Sequence, residues 1–445
     1  MPYNVLHTDL KWSTNTEDKK RASKYIESIL LMLRTKVLLN NGDLSKTEIV
    51  WFYPASMTQN RFNKFKAEWE NTFATLFGAP ISNIIAASES VAPYYYHKAK
   101  KGATSTVVSV DIGGGTTDVL IVDKGEPKYL TSFRFAANTI FGDGYSYDSD
   151  SNGFVNKYKD IITNQLETNN LRGLKAVLKS VLDKRVSTDV IAFLFSLASN
   201  KEIKKEKVEI NFAKMLADDN RGKYVVILFY VAIVYHIAKL MKAKGFDMPR
   251  HMTFSGNGSK VLNILSTNDA TLVRLTKIIF EEIYAQSYSI DGLDIIRPAN
   301  SKESTCKGGI ILTPFQSQDY GEIKDMKTIL IGTDNEKFAD VHMTYNDVTE
   351  ADLDSVVDVI KEYIEFTFKL DKKFSFYDNF DVDRSIMNKV KDLCYRDIRT
   401  YLENGLAIKK SEIAQDGADD NLEETLFFYP LVGIINAVVR NIYQM

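Results

Sequence analysis

Val110-Asp111-Ile112-Gly113-Gly114-Gly115-Thr116-Thr117-Asp118-Val119 is the stretch on which the reading of this 445-residue chain turns. Val107, Val108 and Val110 lead into it as an apolar strand ending at Asp111, and residues 119–122 leave it as a second strand running back. Asp123-Lys124-Gly125-Glu126 is a tight turn, and residues 129–135 form a third strand. Consecutive glycines let backbone N–H groups approach an anion with no Cβ in the way, so Gly113, Gly114 and Gly115 can cradle a phosphate. Thr116 and Thr117 offer hydroxyl donors, and Asp111 and Asp118 flank the loop. Carboxylates beside a phosphate point to Mg²⁺ held largely through waters. A glycine triplet alone is also an ordinary hairpin turn; the ordered set of strand, Asp, glycines, threonines, Asp and strand is what carries the phosphate reading.

That ordered set resembles the second phosphate motif of the superfamily containing actin, the heat-shock chaperone ATPases and the sugar kinases. Two further stretches strengthen the resemblance. Ala87-Ser88-Glu89-Ser90-Val91-Ala92-Pro93-Tyr94-Tyr95-Tyr96 is similar to the turn and connecting helix that precede this motif in the chaperones, with Glu89 at the position that approaches the Mg²⁺ shell. Ser90 stands where the family usually has Pro. Apolar residues 251–254 and then Ser255-Gly256-Asn257-Gly258-Ser259-Lys260 resemble the adenosine motif, in which small residues pass the base and ribose. Asn257 replaces a glycine there, and Lys260 stands where the chaperones place an Arg that packs on the purine. Phe141-Gly142-Asp143-Gly144-Tyr145 is similar to the loop that skirts the phosphates, and residues 302–311 to a second connecting helix whose small residues cross the first near Ala92.

The resemblance implies an α/β, actin-like (ribonuclease H-like) two-lobed ATPase fold that binds ATP or ADP with Mg²⁺. Asp111, Asp118 and Glu89 would serve as catalytic and metal residues. Gly113–Gly115, Thr116, Thr117, Gly142, Gly144 and the stretch Ser255, Gly256, Asn257, Gly258, Ser259, Lys260 would hold the nucleotide. The chain departs from the family at its start. No Asp-x-Gly-Thr or Asp-x-Gly-Ser loop occurs in the first eighty residues, and Asp9-Leu10-Lys11-Trp12-Ser13 does not qualify. The expectation is a partial first lobe with the connecting helix and the start of the second sheet over 1–137. A second lobe with a helical insert and the adenosine motif follows over 138–315, and a helical C-terminal extension over 316–445. On this reading the chain is a piece of a larger ATP-dependent switch, binding Mg-ATP weakly and hydrolysing it negligibly, its partner a protein or a missing segment. A non-catalytic interaction or filament-forming module, and a small-molecule kinase, are the alternatives.

Composition sets bounds on these readings. The formal charge of −2 gives no electrostatic case for nucleic acid. Two cysteines, Cys306 and Cys394, lie far apart without metal-type spacing, which suits a reducing cytoplasm. Residues 1–20 show no signal-peptide pattern. The most apolar run, 224–235, is shorter than a membrane span and reads as a buried central helix. Elsewhere, helical periodicity predicts helices over 16–39, 62–76, 271–286, 348–370, 383–402 and 421–443, short strands at 48–52, 82–86, 293–296 and 327–331, and an acidic linker over 411–420.

Overall fold

The computed structural model describes residues 10, 13, 15–54, 57, 59–89, 91–101, 105–146, 148–289, 292–298, 301–311, 328–332, 337–339, 342–416 and 421–443. Ser90, residue 327 and residues 417–420 of the expected linker lie outside them.

The first described element is helix α1 (Thr16–Leu39), started by Asn15, whose side chain accepts from the Glu17 N–H at 2.8 Å. Strand β1 (Ile49–Tyr53), helix α2 (Gln59–Phe77) and strand β2 (Ile84–Ser88) follow, and the two strands pair in parallel. Ile26 and Leu30 of α1, Phe73 and Phe77 of α2, and Trp51 of β1 close a small core of their own. Trp69 stacks on Trp51 at 5.5 Å, and Phe62, Phe65 and Trp69 of α2 pack against this core. Helix α3 (Val91–Lys101) leads to the glycine stretch.

The main sheet is built around that stretch. Strands β3 (Val107–Ile112), β4 (Thr117–Asp123) and β5 (Glu126–Phe133) form an antiparallel meander. Strand β6 (His251–Ser255) lies parallel to β3, and β7 (Asp294–Ile296) parallel to β6. The order β5-β4-β3-β6-β7 is a meander with two parallel strands added beyond its first member, the ribonuclease H-like arrangement of an actin-type lobe. Every residue of β3 is buried, because both faces of the sheet are covered. Val107, Leu120, Val122 and Leu130 meet Val91, Ala92, Tyr94 and Tyr95 of α3 on one face. Val108, Val110, Ile112, Val119, Ile121 and Phe133 join the large core on the other.

Between β5 and β6 the chain runs through α4 (Ala137–Phe141), α5 (Gly153–Thr168), α6 (Arg172–Leu182), α7 (Ser187–Ser196), α8 (Lys201–Lys205), α9 (Phe212–Ala217) and α10 (Lys223–Ala243). Helix α10 is long and apolar enough to cross a membrane by composition, yet 94% of its most apolar window is buried within the fold. Gly245, with φ +72°, ends it as the left-handed cap that the sequence suggests. After β6 come a short 3₁₀ turn (Asn257–Val261), α11 (Leu262–Leu265) and α12 (Asp269–Tyr284), and after β7 comes α13 (Ser301–Ile311). Helix α13 crosses α3 so closely that a Cβ on Gly308 would lie 1.8 Å from the Ala92 carbonyl oxygen.

The C-terminal helices are α14 (Glu350–Phe374), α15 (Phe376–Phe380), α16 (Met387–Cys394), α17 (Ile398–Asp416) and α18 (Phe428–Ile442). They share one continuous core with α10 and the sheet: Phe428 stacks on Phe133 at 4.0 Å and on Phe135 at 4.6 Å. The helices from Glu350 onward thus share the core of the main sheet. A buried charge cluster reinforces the join. Arg134, just past β5, bonds Glu412 at 2.8 Å, its N–H donates to Glu424 at 2.6 Å, and Lys409 lies 3.4 Å from Glu424. Two local expectations fail. The strand at 327–331 reduces to one bridge, Leu330 with Phe338. The described part of the acidic linker continues α17 as helix.

Candidate functional site

Register places four polar residues in one row across the sheet. Ser132 of β5 faces Asp118 of β4, Asp118 faces Asp111 of β3, and Asp111 faces Ser255 of β6. Directly paired residues project to the same face, so the two carboxylates emerge side by side. Each is only 1% exposed. The Ser255 hydroxyl donates to Asp111 Oδ2 at 3.1 Å. The row sits on the face that α3 covers, next to the glycine loop.

Glu89 reaches this region from the other sheet. It directly follows β2, and its N–H donates to the Tyr53 carbonyl at 3.0 Å. Tyr53 is pushed up to about 12, first by burial and then by the negative charge of Asp118, which brings the ends of β1 and β2 close to the carboxylate row. Among the described residues no group of three or more His, Cys, Asp or Glu side chains is gathered tightly enough to hold a metal ion. Glu89 stands just past the end of β2, on the neighbouring sheet, while the two aspartates stand in the row. The Asp111–Asp118 pair does suit Mg²⁺, which keeps most of its waters and takes one or two carboxylates.

The glycine loop is pinned from below. The Gly113 N–H donates to the Thr116 carbonyl at 2.8 Å, and the Asn138 N–H to the Gly114 carbonyl at 2.8 Å. Thr117 donates its hydroxyl to the Phe135 carbonyl at 2.6 Å. Thr117 is thus engaged in tying β4 to the segment after β5, and Thr116 is buried at the foot of the loop.

The turn after β6 lies directly against this loop. Gly256 has φ +79°, and a Cβ there would meet the Ile112 carbonyl oxygen at 2.2 Å and Asp111 Oδ1 at 2.4 Å. A Cβ on Gly258 would lie 2.0 Å from the Gly113 carbonyl oxygen. The small residues of this stretch are therefore needed first for backbone packing between two loops. Bulk at Gly256 would therefore displace the glycine loop. Ser259 donates to the Gly256 carbonyl at 2.7 Å and holds the turn.

A cavity of about 540 Å³ opens where these pieces meet. Gly114, Asn138, Asn257, Gly258 and Lys260 are among the residues that line it. Ile191 and Phe195 of α7, with Phe141 and Ile264, supply apolar walls. The lining joins apolar side chains to polar groups and to Gly114 of the glycine loop. Gly142 and Gly144 are not among its walls. The Gly142 carbonyl accepts from Asn152 Nδ2 at 2.7 Å, and Gly144, with φ +60°, packs against Asn436 of α18.

Asn138, Thr188 and Phe195 line the cavity without having been singled out from the sequence. Asn138 lay in plain view beside the Phe141-Gly142 stretch; Thr188 and Phe195 sit in an insert with no motif. Asp143, between the two glycines, is pushed up to about 6, chiefly by burial, against N–H donation from Ser187 at the start of α7.

No known protein family matches the chain, and no curated protein matches it. Among solved structures, the ethanolamine utilization protein EutJ from Carboxydothermus hydrogenoformans is similar over 67% of this chain and 76% of that one, at 11% identity and a TM-score of 0.32. MreB5 of Spiroplasma citri bound to ADP is similar over 66% of this chain and 77% of that one, at 13% identity and a TM-score of 0.29. The fold itself rests on the strand order and the helix crossing.

Proposed function

We propose that this chain is a nucleotide-binding module of the actin and heat-shock ATPase type, taking ATP or ADP with Mg²⁺ in the cavity beside Gly114. The observation that carries the proposal is the convergence of three separate segments. The glycine loop at 113–115, the turn at 257–260 and helix α7 enclose one slot of about 540 Å³. The slot suits a flat apolar heterocycle between Phe195, Ile191 and Ile264, with the phosphates running to the loop N–H groups. Lys260 in the lining adds positive charge toward a nucleotide. Asp111 and Asp118 would hold Mg²⁺, which when bound neutralises phosphate charge. Ser255 orients Asp111 for that task through its hydroxyl.

Binding is expected to outrun catalysis. One phosphate loop is found among the described residues, and each hydrogen bond to a charged group contributes about 1.5–3 kcal/mol. Two fewer such bonds weaken binding by about two to four powers of ten. A non-hydrolysing binding or filament module is the second reading, favoured by the single phosphate loop found among the described residues. Calorimetry with Mg-ATP and Mg-ADP, with a phosphate-release assay, tests both. Saturable heat with negligible release is expected. No saturable heat with millimolar nucleotide overturns the proposal, and steady turnover overturns the second reading.

A further inference from the structure

We propose that α1 pairs antiparallel with α1 of a second copy of this chain. The motive is an apolar face that the described residues leave uncovered. Six of the eleven large hydrophobic residues exposed among the described residues lie on this one helix: Tyr25, Leu31, Met32, Leu33, Leu38 and Leu39. Tyr25, Met32 and Leu39 are 62%, 68% and 74% exposed. Ala22, Ile26 and Leu30 already face α2, so the helix is apolar on two sides.

Spacing identifies the occupant as a helix. Tyr25, Met32 and Leu39 recur every seventh residue, and Leu31 and Leu38 repeat beside them at the same interval. Ser28 and Thr35 fall between, leaving room for close approach. A seven-residue repeat is the seam of paired helices, whereas a strand would call for a period of two. The seam from Tyr25 to Leu39 is about 21 Å long at 1.5 Å per residue.

Self-complementarity identifies the partner and its direction. In a parallel pair each residue flanking the seam on one side meets the opposite flank of its neighbour, which sets Leu31 against Lys36. In an antiparallel pair like flanks meet. Leu31 then faces Leu31 of the second copy, Met32 faces Met32, and Tyr25 faces Leu39, which is the isologous contact of a two-fold dimer. The two helix dipoles are opposed in this arrangement.

Sedimentation velocity on the full chain, without nucleotide, tests the pairing independently of the nucleotide reading. A monomer–dimer equilibrium is expected at or below about 100 µM, and Met32→Glu should weaken it more than tenfold. Helicity by circular dichroism should be unchanged, because Met32 is exposed. Direction is read by disulfide trapping in a Cys306→Ser background, since Cys394 is buried. Met32→Cys should cross-link to itself, and Tyr25→Cys should cross-link to Leu39→Cys but not to itself. A chain that stays monomeric, a dimer indifferent to Met32→Glu, or self-linking of Tyr25→Cys overturns the proposal.

Discussion

Two parts of this molecule share one plan. In each, a strand, a helical connection and a second parallel strand lead into a helix. One part is β1-α2-β2-α3, the other β6 through α12 to β7 and α13. The final helices cross at Ala92 and Gly308. The difference lies at the open side of the first strand. Strand β6 is flanked there by β3, which carries the glycine loop, so the second unit owns a ligand cavity. Strand β1 has only β2 beside it among the described residues, and the unit it belongs to has a core of its own and no such loop. The same scaffold becomes a site only where a hairpin with a short-residue turn lies against it.

The shared feature is the crossing, and breaking it should have the largest effect. Gly308→Val forces a side chain into the Ala92 carbonyl, so urea denaturation is expected to show a loss of about 3 kcal/mol or more. An unchanged midpoint would mean that the two units do not depend on the contact.

The feature unique to the second unit is next. Gly258→Ala pushes the turn off the Gly113 carbonyl, and Mg-ATP affinity should fall by about 30- to 100-fold, roughly 2–3 kcal/mol. Global stability should change less, since the turn is local; calorimetry and denaturation of the same variant separate the two.

The large core of the second unit also hides a titratable group. His236 on α10 is fully buried against Phe133, Phe427 and Phe428, and burial pushes its imidazole down to about 3. Its folded value lies below the unfolded one, so the unfolded chain binds the extra proton between about pH 6.5 and 3, and stability is lost as pH falls through that window. Between pH 6.5 and 5 that loss amounts to about 2 kcal/mol. In His236→Phe the stability–pH curve should flatten by this amount.

The smallest effect tests a glycine with no close neighbour. A Cβ on Gly173 in α6 meets nothing within 4 Å, so Gly173→Ala should stabilise by about 0.5 kcal/mol through helix propensity alone, seen as a small rise in Tm.

Much of this was legible in the chain, wherever a local rule applied. Alternating and blocked apolar residues around 110–119 set the meander, Asn15 and Gly245 set helix ends, and the continuous apolar run in α10 announced a buried helix. Asp111 and Asp118 could be named because strand–turn–strand geometry pairs them without help from distant residues. What only the tertiary structure decided depends on residues far apart in sequence. Glu89 comes to the aspartates' region from the end of β2 in the other sheet, its N–H held by the Tyr53 carbonyl. Gly256 and Gly258 answer to the backbone of Ile112 and Gly113, more than a hundred residues earlier. Gly142 and Gly144 face α18 instead of the cavity, and the C-terminal helices join the main core, because Phe428 finds Phe133 and Phe135. Periodicity says which face of a helix is apolar; only packing says which other element covers it, and for the outer face of α1 none of the described elements does.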